Sequence, residues 1–250
     1  TKTLVEPKFT FTFLGFEWLQ PLPGNWMYIY YAIMGVFGLL IMLGYKYRFS
    51  AFMFFIMWCS VYFMQKSSYN NHYYLLVLLS GIMVILPAHK YASLDVKLNP
   101  KLKSIAMPAW CKWIFVIQLF ILYTYAYKAK FYPDWLDLSV PSSLMQGKIN
   151  YPIVGQFLQN SFMPYLVGYG GILFDGLIIP MLLFKATRRY AFFASIFFHL
   201  FNSFIFQVGV FPYLSLAFCL FFFKPETVRN LFLKGKELYT KSEIIVPSYK

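Results

Sequence analysis

Seven long apolar runs constrain the fold of this chain more than any other feature. They cover residues 26–44, 48–64, 73–88, 109–127, 165–184, 190–206 and 208–223. A helix needs about 20 apolar residues to cross a bilayer, and tilt accommodates somewhat shorter runs. Only 12% of the residues are charged, whereas a soluble domain carries about 25%. We therefore predict an all-α polytopic transmembrane helical bundle of about seven spans.

The last two runs could instead form one long helix, but the distribution of basic residues argues against this. With seven spans, 16 of the 22 Lys and Arg residues lie on one side of the membrane. Merging the runs would move the basic C-terminal tail across and remove this bias, and Gly209 and Pro212 favour a break. The positive-inside rule makes the richer side cytoplasmic. The net charge of +13 then reflects topology, so we expect no nucleic-acid partner.

This topology divides the chain into three regions. We predict an extracytoplasmic or interfacial loop over residues 1–25, a transmembrane domain over 26–223 and a basic cytoplasmic tail over 224–250. Within the domain, the Pro- and Ser-rich segment 131–164 falls on the extracytoplasmic side, as a loop or a re-entrant lid over a cavity. Because the chain begins with Thr1, we expect a processed N-terminus or a fragment of a longer protein.

The cysteine and histidine patterns do not indicate a metal site. Cys59, Cys111 and Cys219 lie in or at apolar runs without metal-type spacing, which is typical of buried free thiols. The three histidines are scattered over distant segments, and the sequence contains no P-loop or dinucleotide-binding motif. We therefore predict that no metal is bound.

Asn70, Asn71 and His72 stand directly before the third apolar run. Amide and imidazole groups can orient a polar head group or hold a proton donor. The alternative is a hydrated helix end at the membrane interface.

Tyr123, Tyr127 and Lys130 are spaced to share one face at the end of the fourth apolar run. A lysine in this position can extend its ammonium group to water. It can also be desolvated, and a neutral amine is a competent general base. The charge distribution places Lys130 and His72 on the same, extracytoplasmic, side.

A third polar group lies inside the sixth apolar run, where helical spacing puts His199, Asn202 and Ser203 on one face. Polar residues within a membrane are candidates for function, and hydrogen bonding between helices is the competing explanation.

Asp175 is a carboxylate in the middle of the fifth apolar run, where it needs a partner. Lys128, Lys130 and His199 are the candidates, and a structural ion pair is the favoured interpretation.

Six sequence blocks resemble the vitamin K-dependent γ-glutamyl carboxylases and their bacterial relatives. In chain order they are LQPLPGNWMYIYYAIMG, LGYKYR, YNNHYYLLVLLSGIMVILPAHKYASLD, KAKFYPDWL, YGGILFDGLIIPMLLF and FFHLFNSFIFQVGVFPYLSLA. The similarity covers roughly residues 15–225, and the shared unit resembles the HTTM membrane domain of that family.

The resemblance implies an enzyme that uses reduced vitamin K or a menaquinol, with O2 and CO2 as co-substrates and no metal. In that family a lysine acts as base toward the hydroquinone, the quinone becomes an epoxide, and a glutamate side chain of a polypeptide is carboxylated. Lys130 matches the base lysine, and Asn71 and His72 match an Asn-His pair at the hydroquinone site. Tyr123 and His199 match a tyrosine and a histidine near that site.

Three neighbours of the matched residues join them as quinol-binding candidates, namely Asn70, Tyr127 and Asn202. For Asn70, capping of the following helix is the alternative.

The chain departs from the family at Lys128-Ala129-Lys130, where the family has two adjacent lysines. The family also has an apolar helix before the first block, and beyond residue 225 further membrane sequence and a large extracytoplasmic β-rich domain that helps to hold the polypeptide. We therefore expect a bacterial-type relative or a fragment of a longer enzyme. Hydroquinone epoxidation is the better-preserved half of the chemistry.

The resemblance thus implies an integral membrane protein with its active site toward the lumen or periplasm, and quinone, lipid and a glutamate-containing polypeptide as partners. The alternatives are an epoxidase without carboxylation, or a non-catalytic membrane protein that reuses the domain for binding or assembly.

Overall fold

A computed structural model describes residues 5, 7, 9–152, 154–206 and 208–239. Within these residues the structure is helical and contains no strand. The α-helices in chain order are α1 (Trp26–Leu43), α2 (Tyr47–Met64), α3 (Asn71–Ile85), α4 (Leu94–Leu98), α5 (Trp110–Ala129), α6 (Pro133–Leu136), α7 (Ser139–Gln146), α8 (Val154–Leu158), α9 (Met163–Leu183), α10 (Arg188–Phe201), α11 (Phe211–Cys219) and α12 (Pro225–Tyr239). Tighter 3-10 turns cover Lys66–Ser68, Pro100–Leu102 and Leu220–Phe222, and a π-helical segment covers Asn202–Phe206.

Each predicted apolar run contains a helix, which confirms the all-α fold. By length and composition, four helical segments among the described residues can cross a membrane: Trp26–Leu43, Tyr47–Met64, Met163–Leu183 and Arg188–Phe206. Helices α3 and α11 are shorter, and the 20-residue α5 contains lysine, glutamine and tyrosine residues that lower its hydropathy. The count of seven spans therefore remains a prediction.

The last two apolar runs form separate helices, as the break at Gly209 and Pro212 predicts. The π-helical segment ends at Phe206 and α11 begins at Phe211. Gly209 has a φ of +71°, in the left-handed region that glycine adopts most readily. Pro212 lies in the first turn of α11, where its missing N–H interrupts no helical hydrogen bond.

The chain divides into two compact units, residues 1–108 and 109–250. In the first unit, α2 packs against both α1 and α3. Asp95, in α4, accepts hydrogen bonds from the backbone N–H groups of Lys46 (2.7 Å) and Tyr47 (3.0 Å), and so caps the start of α2. Phe11 lies in the loop before α1, and its carbonyl accepts a hydrogen bond from the backbone N–H of Lys66, at 2.6 Å. The N-terminal loop is thereby tied to the end of α2.

The second unit is organised around α5 and α9, which pack against each other, with α10 on α9 and α11 on α5. Its main core cluster combines buried residues of these helices: Val116, Leu119, Tyr123, Ile178, Ile179, Leu182, Ala191, Cys219 and Phe222. All three cysteines are free, and Cys111 and Cys219 are buried whereas Cys59 is half-buried. The core places the polar residues of α5, α9 and α10 close to one another.

The structure describes nearly all of the predicted lid but only part of the predicted tail. Segment 131–164 contains the short helices α6, α7 and α8, and both α6 and α7 contact α9. The predicted tail contains α12, and residues 240–250 lie outside the described residues. The membrane sides of both segments remain predictions.

Candidate functional site

An ion pair between Lys130 and Asp175 joins α5 to α9. Lys130 caps the C-terminal end of α5, and its Nζ contacts Oδ2 of Asp175, in the middle of α9. The Asp175 side chain is 4% exposed and that of Lys130 is 17% exposed. Of the three candidate partners for Asp175, the structure therefore selects Lys130, while Lys128 is exposed to solvent or lipid.

Trp135 and Gly171 hold the lysine side chain in place. The Lys130 ammonium lies 5.1 Å from the Trp135 ring centroid, a cation–π contact. The Trp135 indole N–H donates to the carbonyl of Gly168, at 3.1 Å. A β-carbon at Gly171 would lie 3.4 Å from Cε of Lys130, so the aliphatic stem packs directly on the α9 backbone. Trp135 thus connects the predicted lid to the ion pair.

Tyr123 and His199 form a second buried polar pair. The Tyr123 hydroxyl lies 2.8 Å from His199 Nε2, and the His199 side chain is fully buried. Its other ring nitrogen, Nδ1, has no hydrogen-bond partner among the described residues. The imidazole is surrounded by aromatic rings, including Phe174 and Phe198. The pair therefore contains one buried nitrogen, His199 Nδ1, whose hydrogen-bonding capacity is not used by the described residues.

A cavity of about 270 Å³ lies between α5 and α9. Its lining residues are Phe120, Tyr123, Thr124, Tyr127, Ile172, Leu173, Asp175, Gly176, Leu177, Ile179 and Pro180. Of these, Phe120, Leu173 and Leu177 are at least half exposed, so the cavity opens on the apolar surface of the two helices. Tyr123 and Asp175 connect its wall to the two buried polar pairs. The site is thus an apolar recess with few polar groups, as small-molecule sites commonly are.

The sequence predicts that His199, Asn202 and Ser203 share one face of a regular α-helix, but the helix changes its geometry between His199 and Asn202. The α-helical spacing ends at Phe201, and Asn202 and Ser203 belong to the π-helical segment. Ser203 Oγ donates to the Tyr213 hydroxyl of α11, at 2.8 Å, whereas His199 pairs with Tyr123. Single π-turns inside helices are frequent at functional sites. The sequence gives no signal for this one.

Asn70, Asn71 and His72 lie in the first unit, at the start of α3. The Asn70 side-chain oxygen accepts the backbone N–H of His72, at 2.7 Å, so Asn70 is the N-cap of α3. The Tyr69 hydroxyl donates to the Asn71 side-chain oxygen, at 2.8 Å. Asn71 is exposed and His72 is half-buried. Asn70 therefore caps α3, while the predicted quinol contacts of Asn70, Asn71 and His72 remain predictions.

The lid segment carries its own hydrogen bonds near Trp135. The Asp137 carboxylate accepts the backbone N–H of Ser139, at 2.9 Å, and the hydrogen bonds from Ser139 lower the pKa of that carboxyl. The Tyr169 hydroxyl of α9 donates to the carbonyl of Leu136, at 3.0 Å. The Tyr169 bond, together with that of Trp135 to Gly168, fixes the start of the segment on α9, close to the ion pair.

Sequence reasoning missed Trp135, Gly176 and Pro180 as site residues. Trp135 follows the base candidate by five positions and lies in the separate short helix α6, so no helical periodicity of α5 links it to Lys130. Pro180 did carry a signal, because a proline inside an apolar helix removes one backbone hydrogen bond.

Comparison with known proteins agrees with the blocks quoted above. No solved structure matches this chain. The family model of the HTTM domain matches residues 1–226, which include all the candidate residues of both units. The resemblance noted in the sequence is thereby confirmed at the level of the domain, and the chain belongs to the HTTM domain family.

Proposed function

We propose that this protein is a vitamin K-dependent carboxylase-like membrane enzyme. Its reaction is the base-initiated oxygenation of vitamin K hydroquinone, or a menaquinol, to the epoxide. The observation that carries this proposal is the Lys130–Asp175 pair, whose carboxylate lines an apolar cavity between two helices. A base in such a cavity suits a substrate that arrives from the bilayer.

The lining of the cavity fits a hydroquinone head group. Aromatic and aliphatic side chains supply most of the wall, and the opening lies on apolar helix surface. A lipid-soluble substrate can therefore enter without crossing water. Tyr123 lines the cavity and its hydroxyl pairs with His199 Nε2, so the imidazole can fix the orientation of that hydroxyl. We assign Tyr123 and His199, with Tyr127, to the positioning of the head group.

The Lys130–Asp175 pair can take up one proton in two steps. One proton on Lys130 Nζ first moves to Oδ2 of Asp175. Both groups are then uncharged, and the lone pair on the lysine nitrogen is free to accept a proton. Nζ then takes the hydroxyl proton of the hydroquinone: the O–H bond breaks, an N–H bond forms, and the electron pair stays on oxygen. The pair passes from net zero to net +1, which balances the negative charge left on the substrate. In a low-dielectric site this compensation matters more than in water.

The bound hydroquinone, with O2, supplies the oxidative chemistry. The chain's own contribution is to bind and orient the ring, to hold the proton at Lys130 and Asp175, and to exclude water. The Trp135 contacts and the lid segment serve the last role, because water would quench a strong oxygen base. We place this site toward the lumen or periplasm.

Asn71 and His72 complete the proposal in the first unit. We assign them to quinol orientation, following their match to the Asn-His pair of the carboxylases, and we include Asn70 and Asn202 as further quinol contacts. Carboxylation of a glutamate-containing polypeptide with CO2 is the finer part of the proposal, and requires a polypeptide-binding region.

A closed ion pair also favours a second candidate, a non-catalytic membrane protein that uses the domain for quinone binding or assembly. Buried ion pairs often serve structure alone. One assay separates the candidates: the purified protein is given vitamin K hydroquinone, O2, isotopically labelled CO2 and a glutamate peptide. Epoxide together with labelled peptide indicates a carboxylase, and epoxide alone indicates an epoxidase. If neither product forms, the proposed enzyme is contradicted.

A further inference from the structure

We propose that Pro180 frees the backbone carbonyl of Gly176 to accept a hydrogen bond from a hydroxyl group of the bound hydroquinone. The cavity would thereby bind the reduced form in preference to the oxidised quinone. This inference rests on the proposed function and adds a determinant of redox selectivity to the same site.

The argument starts from the backbone of α9. Pro180 lies in the interior of this helix, which continues to Leu183. A proline has no N–H, so the carbonyl four residues earlier loses its helical partner. That carbonyl belongs to Gly176, and both Gly176 and Pro180 line the cavity. The backbone hydrogen bond that Pro180 removes therefore lies at the wall of the cavity.

Packing explains why the helix persists through Pro180. Its neighbours Ile179 and Leu182 are among the most buried residues of the second unit. The N–H of Phe184 donates to the Pro180 carbonyl, at 3.2 Å, so regular hydrogen bonding continues beyond the proline. The interruption is thus local to Gly176.

Most other polar groups in the cavity are already engaged within the protein. The Tyr123 hydroxyl pairs with His199, Asp175 pairs with Lys130, and the Thr124 hydroxyl donates to the Phe120 carbonyl at 2.7 Å. The Gly176 carbonyl differs from these groups because the covalent structure of Pro180 removes its usual donor.

Glycine at position 176 also shapes this part of the wall. A β-carbon there would lie 2.9 Å from Cε2 of Tyr127, closer than such atoms approach. The Tyr127 ring can therefore lie against the α9 backbone only because residue 176 has no side chain. Its hydroxyl can donate or accept, so it serves both redox forms of a ligand, whereas a carbonyl can only accept.

This difference gives the selectivity. A hydroquinone has hydroxyl hydrogens to donate to the Gly176 carbonyl. The oxidised quinone and the epoxide present carbonyl oxygens in their place and have no hydrogen to donate. A neutral hydrogen bond of ordinary strength corresponds to roughly a three- to tenfold preference for the reduced form. The same preference would favour release of the epoxide product.

The test is the Pro180→Ala variant, in which the new N–H of residue 180 can bond to the Gly176 carbonyl. Dissociation constants are measured in detergent micelles without O2, for menadione hydroquinone and for menadione. The matched control is Pro164→Ala in the same helix. Pro164 lies in the first turn, where its missing N–H leaves no helical carbonyl unpaired.

We expect Pro180→Ala to weaken hydroquinone binding about three- to tenfold and to leave menadione binding unchanged, and we expect Pro164→Ala to change neither. The inference would be overturned if Pro180→Ala weakened the binding of both forms equally, or if the preference for the hydroquinone were unchanged. The proposed function would stand in either case. If the wild-type protein binds neither form, the inference and the proposed function fail together.

Discussion

Lys130 and Asp175 lie 45 residues apart in the chain and form an ion pair between the end of α5 and the middle of α9. It is the only salt bridge within the described residues. Both side chains are mostly withdrawn from solvent, so neither charge is well hydrated. The pair therefore stabilises the contact between the two helices and also supplies the proposed base.

The first prediction concerns the stability of this pair. Lys130→Ala leaves the Asp175 carboxylate buried without a partner, which costs roughly 3–5 kcal/mol in the free energy of unfolding. The double variant Lys130→Met/Asp175→Leu removes both charges and should recover most of this loss. Thermal unfolding in detergent compares the variants, and a single variant as stable as wild type would show that the pair contributes little.

The second prediction concerns Tyr123 and His199. Tyr123→Phe leaves His199 Nε2 buried without its partner, which should cost about 1–3 kcal/mol in unfolding free energy. It should also weaken hydroquinone binding, because the imidazole is no longer fixed. Tyr125→Phe is the control, since Tyr125 is 71% exposed on the same helix. Equal effects of the two substitutions would exclude a special role for the buried pair.

The third prediction separates two roles of Asn70. As the N-cap of α3, Asn70→Ala should lower stability by about 0.5–2 kcal/mol, and Asn70→Ser should restore most of it. If Asn70 acts only as a cap, Asn70→Ser also retains normal hydroquinone affinity. If Asn70→Ser keeps its stability but binds hydroquinone poorly, Asn70 contacts the substrate as well.

A fourth prediction addresses Asn71 and His72 directly. If both residues orient the hydroquinone, Asn71→Ala and His72→Ala should each raise its dissociation constant. The dissociation constant is measured in detergent micelles without O2. An unchanged value for both variants would contradict the assignment of Asn71 and His72 to quinol orientation.

A fifth prediction tests the topology. In a variant without the three native cysteines, Lys148→Cys should react with a membrane-impermeant maleimide in intact cells. Lys90→Cys should react only after permeabilisation, because the positive-inside rule puts it in the cytoplasm. Labelling of both positions from outside would contradict the assignment of sides.

The sequence predicted the helices of this chain well because its apolar runs must form helices to satisfy their backbone groups in a membrane. The break near Gly209 was also predictable, because glycine and proline interrupt a helix through their own backbone properties. The ion pair was only one of three alternatives, since residues 45 positions apart are joined by helix packing that no periodicity reveals. The Tyr123–His199 bond, over 76 positions, and the π-helical segment after Phe201 could not be predicted for the same reason.

The most direct test of the central claim is epoxide formation from vitamin K hydroquinone in the presence of O2. We compare the wild type with Lys130→Ala, with the folded double variant Lys130→Met/Asp175→Leu, and with Lys128→Ala as the exposed neighbouring control. General base catalysis contributes about 10²–10⁴-fold, so both variants that lack Lys130 should lose at least about 100-fold in rate while Lys128→Ala stays near wild type. Full epoxidation by Lys130→Ala would contradict the assignment of Lys130 as the base.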